Sequence, residues 1–138
     1  MKSKVKILAI DKEEIILKSI RKALKSDEKN DFDITTCTTA LEGLKFIRSD
    51  KYDLLLIDLF LPGMSGNELL RRINNVYKEI PVIIMSGFSS FGPPKTDFKT
   101  TGGESFSNTI NILKKPFTTE ELKIIIDKIL TKEQNNNV

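Results

Sequence analysis

Residues 52–66 read YDLLLIDLFLPGMSG. The unbroken apolar run Leu54, Leu55, Leu56 and Ile57 stands between polar neighbours, the pattern of a central parallel strand whose two faces are both covered by helices. Asp58 follows where such a strand leaves the sheet, and in open α/β sheets ligands bind outside the carboxyl ends of strands. Pro62, Gly63 and Gly66 supply turn chemistry, and Ser65 with Glu68 has the spacing of a capping box that opens the next helix. Asp58 is either a ligand-facing carboxylate or a strand-ending residue that satisfies loop amides. The other strand ends decide between the two.

Towards the N-terminus, Lys4 to Ile10 is a first strand, polar at its entry and apolar as it joins the sheet, and it ends at Asp11. Ile16, Leu17, Ile20, Ala23 and Leu24 then recur at three- and four-residue steps, a core-facing helical stripe with Lys18, Arg21, Lys22 and Lys25 outside it. Phe32 to Thr38 is β-branched and alternating, as an edge strand is. Thr39 and Glu42 form a capping box for a helix with the stripe Ala40, Leu41, Leu44 and Ile47.

Towards the C-terminus, Leu69, Leu70, Ile73 and Val76 mark a third helix, and Pro81 leads into the apolar strand Val82 to Met85, which ends at Ser86 and Gly87. Residues 88–107 break the pattern, with Gly92, Pro93, Pro94, Gly102 and Gly103 and no apolar period that fits a long helix. Neighbouring parallel strands need a connection of about a dozen residues. An irregular crossover between the fourth and fifth strands is therefore expected, with a short helical piece near residues 96–101. Thr109 to Leu113 resumes as a strand that ends at Lys114, Lys115 and Pro116. Thr118 and Glu121 form a third capping box, ahead of the helical stripe Leu122, Ile125, Ile126, Ile129 and Leu130. The reading is one α/β domain over residues 1–131, a five-stranded parallel sheet with right-handed crossovers, and a polar, frayed tail over 132–138.

The chain has 138 residues, 39% apolar and 30% charged, which suits one globular domain with a real core. A net charge of +3 with lysines scattered among acids gives no basic stripe for nucleic acid. No apolar run approaches the roughly 20 residues that cross a bilayer, and the N-terminus passes straight into a charged helix, so no membrane contact and a cytoplasmic location are expected. The single cysteine, Cys37, rules out an internal disulfide and reads as a small buried strand residue. With no histidine, a His-based triad, a His-ligated metal and a phosphohistidine donor within this chain are all excluded.

Asp11, Asp58, Ser86 and Lys115 thus stand at the carboxyl ends of the first, third, fourth and fifth strands, on one edge of the sheet. Two carboxylates, a hydroxyl and an ammonium make a hard, oxygen-rich site suited to Mg²⁺ and a phosphoryl group. An Asp can be the nucleophile that forms an acyl phosphate when a cation screens the approaching anion.

In ILAID with Asp11, YDLLLIDLFLPGMSG with Asp58, PVIIMSG with Ser86 and Gly87, and LKKPF with Lys115, Pro116 and Phe117, the chain resembles the receiver domain of two-component response regulators. The resemblance implies a flavodoxin-like doubly wound sheet of order 2-1-3-4-5 with helices on both faces. It implies Asp58 as phosphoacceptor in a phosphorelay, with a histidine kinase or histidine phosphotransfer protein as donor and an effector domain or protein downstream. It also implies Mg²⁺ held by Asp11, Asp58 and the backbone carbonyl of Phe60, with Ser86 and Lys115 on the phosphoryl group, and a cis bond before Pro116. Enzymatic activity is expected only as Mg²⁺-dependent self-phosphorylation from small donors and slow dephosphorylation.

Two departures stand out. The family pairs two acids after the first strand, and here the second position is Lys12, which has no oxygen for a metal. Either Lys12 turns inward and replaces part of the metal's charge, an attraction of about 4 kcal/mol at 4 Å and an effective dielectric of 20, or it faces solvent and Glu13 or Glu14 supplies a ligand. Weak Mg²⁺ binding is expected, and a phosphorylation-independent pseudo-receiver that acts through its surface is the alternative function. The second departure is the crossover, together with Ile112 at the position where the family often has an aromatic switch. The crossover then orders on phosphorylation through Phe88, Phe91, Phe98 or Phe106, or those side chains simply pin a loop to the core. A haloacid-dehalogenase-type phosphohydrolase needs a second Asp two residues after the nucleophile, where this chain has Phe60. A phosphate-binding G-x-x-x-x-G-K-[ST] loop is absent too.

Overall fold

The computed structural model describes residues 2–74, 76–77, 79–87 and 110–136. Along the chain run β1 (Ser3–Ile10), α1 (Glu14–Lys25), β2 (Asn30–Cys37), α2 (Ala40–Ser49), β3 (Leu54–Asp58), α3 (Gly66–Asn74), β4 (Val82–Ser86), β5 (Ile110–Lys114) and α4 (Thr119–Asn136). The five strands form one all-parallel sheet in the order β2-β1-β3-β4-β5, the doubly wound, flavodoxin-like arrangement expected.

Successive side chains of a strand point to opposite faces, and here both faces are apolar. Leu8, Ile10, Leu55, Ile57, Val82 and Ile84 pack under α2 and α3. Val5, Ile7, Ala9, Leu54, Leu56, Ile83 and Met85 pack under α1 and α4. Every residue of β3 is buried, which is why its sequence is continuous rather than alternating. β2 lies at the sheet edge and stays half-exposed over most of its length.

All three expected boxes form their hydroxyl cap. The hydroxyls of Thr39, Ser65 and Thr118 accept hydrogen bonds from the backbone N–H groups of Glu42, Glu68 and Glu121 at 3.2, 3.2 and 3.0 Å. The Lys115–Pro116 peptide is cis, as the resemblance implies.

Several boundaries and stripes differ from the sequence reading. Leu41 is 59% exposed, because α2 turns Ala40, Gly43, Leu44 and Ile47 inward and sets Gly43 directly over Ile10. Val76 is 69% exposed because α3 has already ended at Asn74. β2 begins at Asn30 rather than Phe32, since its parallel pairing with β1 starts at Ser3. Helix α4 runs on to Asn136, through most of the stretch read as a frayed tail, as no Gly or Pro follows Leu130 to stop it. The segment 88–109, with the irregular crossover, the helical piece near 96–101 and the four phenylalanines proposed to dock, lies outside the described residues. Among the described residues no helix is long and apolar enough to cross a membrane.

Candidate phosphoryl-acceptor site

Asp11 follows β1, Asp58 ends β3, Ser86 ends β4 and Lys115 follows β5. Because β1, β3, β4 and β5 are consecutive in the sheet, the four side chains gather at one edge. Backbone bonds fix those strand ends: Asp11 N–H donates to the Cys37 carbonyl at 3.2 Å, Leu59 N–H to Met85 at 3.3 Å, and Lys115 N–H to Ser86 at 2.7 Å.

Lys115 holds the cluster together. Its Nζ lies 2.6 Å from Asp11 Oδ2 and 3.7 Å from Asp58 Oδ1. Asp11 Oδ1 accepts the Glu13 N–H at 2.8 Å, and Asp58 Oδ1 accepts the Phe60 N–H at 3.1 Å. Asp58 Oδ2 and Ser86 Oγ, by contrast, are buried with no hydrogen-bond partner among the described residues. Leaving such a group unpaired costs about 1–3 kcal/mol, so two of them at one strand edge mark a place shaped for something other than stability.

Asp58 is only 3% exposed and Asp11 is fully buried. Burial, and then the Asp11 carboxylate, push the Asp58 carboxyl above its ordinary value of 3.8, against the opposing pull of the Phe60 N–H and Lys115. The carboxylate read as rim-facing is thus nearly enclosed. Phe60 itself is 55% exposed, so what this residue offers the site is its backbone.

Lys12 faces solvent, as do Glu13 and Glu14. The cation against Asp11 is Lys115, not Lys12, and the inner set of Asp11, Asp58 and Lys115 carries −1 when both carboxylates are ionised. No group of three His, Cys, Asp or Glu side chains poised to hold a metal occurs among the described residues.

One residue's part at the site escaped the sequence reading, which gave Gly66 only a turn. Its N–H donates to the Leu59 carbonyl at 3.0 Å. A Cβ at this position would lie 2.7 Å from the Asp58 carbonyl oxygen and 2.8 Å from Leu59 Cα. The start of α3 therefore rests directly on the backbone that carries Asp58. The glycine was visible in PGMSG; the contact was not.

The family model for the response regulator receiver domain matches residues 7–127. The chain belongs to that family. Among curated relatives of this receiver domain, the 3',5'-cyclic-nucleotide phosphodiesterase regA of Dictyostelium discoideum is 35% identical over 93% of the chain and 16% of its own length. A two-component response regulator of Arabidopsis thaliana is 31% identical over 94% of the chain and 23% of its own length. The receiver domain thus spans about a quarter or less of both relatives. A solved response regulator receiver domain protein from Clostridium thermocellum superposes with a TM-score of 0.72 at 26% identity, over 94% of this chain and 97% of that one. The chemotaxis response regulator CheY4 of Vibrio cholerae, at 21% identity and a TM-score of 0.75, shares the fold over 92% of this chain and 99% of its own. Receiver domains are generally non-enzymatic signalling modules that bind Mg²⁺.

Proposed function

We propose that this receiver domain accepts a phosphoryl group on Asp58 from a phosphohistidine of a partner histidine kinase or histidine phosphotransfer protein. The observation that carries the reading is the pair of buried, unpartnered oxygens, Asp58 Oδ2 and Ser86 Oγ, at the strand edge that also holds the Lys115 ammonium. A carboxylate oxygen of Asp58 attacks phosphorus and the P–N bond to imidazole breaks. The departing nitrogen keeps the bonding pair and takes a proton, leaving an acyl phosphate. Lys115 neutralises charge on the phosphoryl oxygens, and Ser86 donates a hydrogen bond to one of them. Loss of the phosphate is attack by water on the same phosphorus, which returns the Asp58 carboxylate and releases inorganic phosphate.

The donors present fit Mg²⁺, an ion commonly bound through one or two carboxylates with waters and a substrate phosphate completing the shell. Asp11, Asp58 with its unpartnered Oδ2, and the backbone carbonyl of Phe60 would hold it. When bound it screens the approach of an anionic donor to Asp58. Lys12 adds no oxygen, so the binding is weak.

The domain works in the cytoplasm and passes its state to an effector domain or protein; neither nucleic acid nor membrane is its direct ligand. Exposed Lys12 and the 3% exposure of Asp58 favour a second reading, a pseudo-receiver that signals through its surface without taking phosphate.

Incubation with a small phosphodonor and Mg²⁺, followed by intact mass measurement, separates the two. The first reading expects a single phosphoryl adduct, lost in Asp58→Asn and in the presence of a chelator. Absence of an adduct at every Mg²⁺ concentration supports the second.

A further inference from the structure

A second feature lies between α1 and the outer edge of β2. Lys18, Arg21, Lys22 and Lys25, spaced three, one and three residues apart along α1, line one wall of a groove of about 610 Å³. Phe32 and Ile34 of β2, both half-buried, form its apolar side, and Asp31 is its lone acid. Four cations against one carboxylate leave the groove at +3. Among the described residues Lys18, Lys22 and Lys25 make no ion pair, and Arg21 reaches Thr36 Oγ1 at 3.1 Å. No β1 residue lines the groove. β2 is the terminal strand of the sheet, and its outer edge presents backbone N–H and C=O groups unpaired by the sheet.

We propose that this groove docks an extended acidic segment of a partner protein that carries a large apolar side chain. Backbone pairing along β2 sets the register, as in other strand additions. Side chains turned inward then meet Phe32 and Ile34, and carboxylates meet the lysines. The apolar side distinguishes the groove from a nucleic-acid or lipid-headgroup surface, which needs only the cations. None of Asp11, Asp58, Ser86 or Lys115 lines it, so the proposal does not rest on phosphorylation.

The test is fluorescence anisotropy of the full chain with a labelled peptide, Glu-Glu-Asp-Phe-Glu-Leu-Asp-Glu-Glu, beside a version in which Phe and Leu are Ser. Saturable binding is expected, weakened about tenfold in the double variant Lys22→Glu and Lys25→Glu. The charge-matched control Lys128→Glu with Lys132→Glu, on α4, leaves it unchanged. All four lysines are exposed, so the variants keep the fold, and circular dichroism checks this. The proposal is overturned by no saturable binding up to about 1 mM peptide, by equal binding of the Ser version, or by equal loss in the control. Tighter binding of a short DNA duplex or of phosphatidylserine vesicles overturns it as well.

Discussion

Lys115 Nζ bridges Asp11 Oδ2 at 2.6 Å and Asp58 Oδ1 at 3.7 Å, joining the ends of β5, β1 and β3 through one ammonium. Removing one partner of a buried ion pair leaves the others uncompensated, at a cost of about 3–5 kcal/mol. Lys115→Met lowers the unfolding free energy at pH 7 by about 3 kcal/mol. Much of that loss is recovered when Asp11→Asn is added. Urea denaturation of the two single variants and the double variant checks this; additive losses mean that the pair is not coupled.

Asp58 gives a pH dependence of opposite sense to the usual carboxylate. Burial and the Asp11 carboxylate hold its folded-state pKa above the ordinary 3.8, so across the interval between the two values the folded chain binds more protons than the unfolded one. The contribution of this group to stability falls as pH rises through that interval and stays at the lower level above it. Asp58→Asn removes the titrating group, so the variant melts at a higher temperature than the parent at pH 7, and the gap closes below pH 3.8. Thermal denaturation across pH decides it; a variant that melts lower at pH 7 contradicts the assignment.

Gly66→Ala drives a Cβ to within 2.7–2.9 Å of the Asp58 and Leu59 backbone, where no flexible side chain can yield. Overpacking of this kind costs about 1–3 kcal/mol. Because the displaced backbone carries Asp58, the variant also forms the phosphoryl adduct more slowly. Mass spectrometry run beside a urea titration tests both; unchanged stability contradicts the overpacking, and an unchanged adduct rate contradicts the displacement of Asp58.

Lys12→Asp places an oxygen donor beside Asp11 and exchanges a positive for a negative charge at the site's edge. Mg²⁺ affinity rises by about tenfold or more, given roughly 1 kcal/mol for each unit charge about 4 Å away in water. Isothermal titration calorimetry reads it without any phosphodonor, and an unchanged affinity means that the residue stays outside the metal's reach.

Thr118→Ala deletes the hydroxyl that caps α4 through Glu121 N–H at 3.0 Å. The loss is about 1 kcal/mol. Hydrogen exchange of the first turn of α4 locates the effect, and unaltered protection there rules out the cap as its source.

Much of this was legible because local chemistry alone dictates it. The three Ser/Thr-x-x-Glu boxes open helices where they stand, since a cap is a contact within one turn. Leu54 to Ile57 announces burial on both faces, since only a covered parallel strand tolerates four apolar residues in a row. Stripe ends were read less well: Leu41 and Val76 suit a helical period, yet the closeness of Gly43 to Ile10 and the end of α3 at Asn74 turn both outward.

The sequence by itself determined the order of strands and helices and the edge at which Asp11, Asp58, Ser86 and Lys115 must meet, because strand ends follow from hydrophobic runs and turn residues. Only the tertiary structure decided that Lys115 rather than Lys12 pairs with Asp11, that Asp58 is nearly enclosed, that Gly66 supports it, and that four bases of α1 face an edge strand. Those facts depend on distances between residues up to 104 positions apart in the chain, which no local pattern encodes.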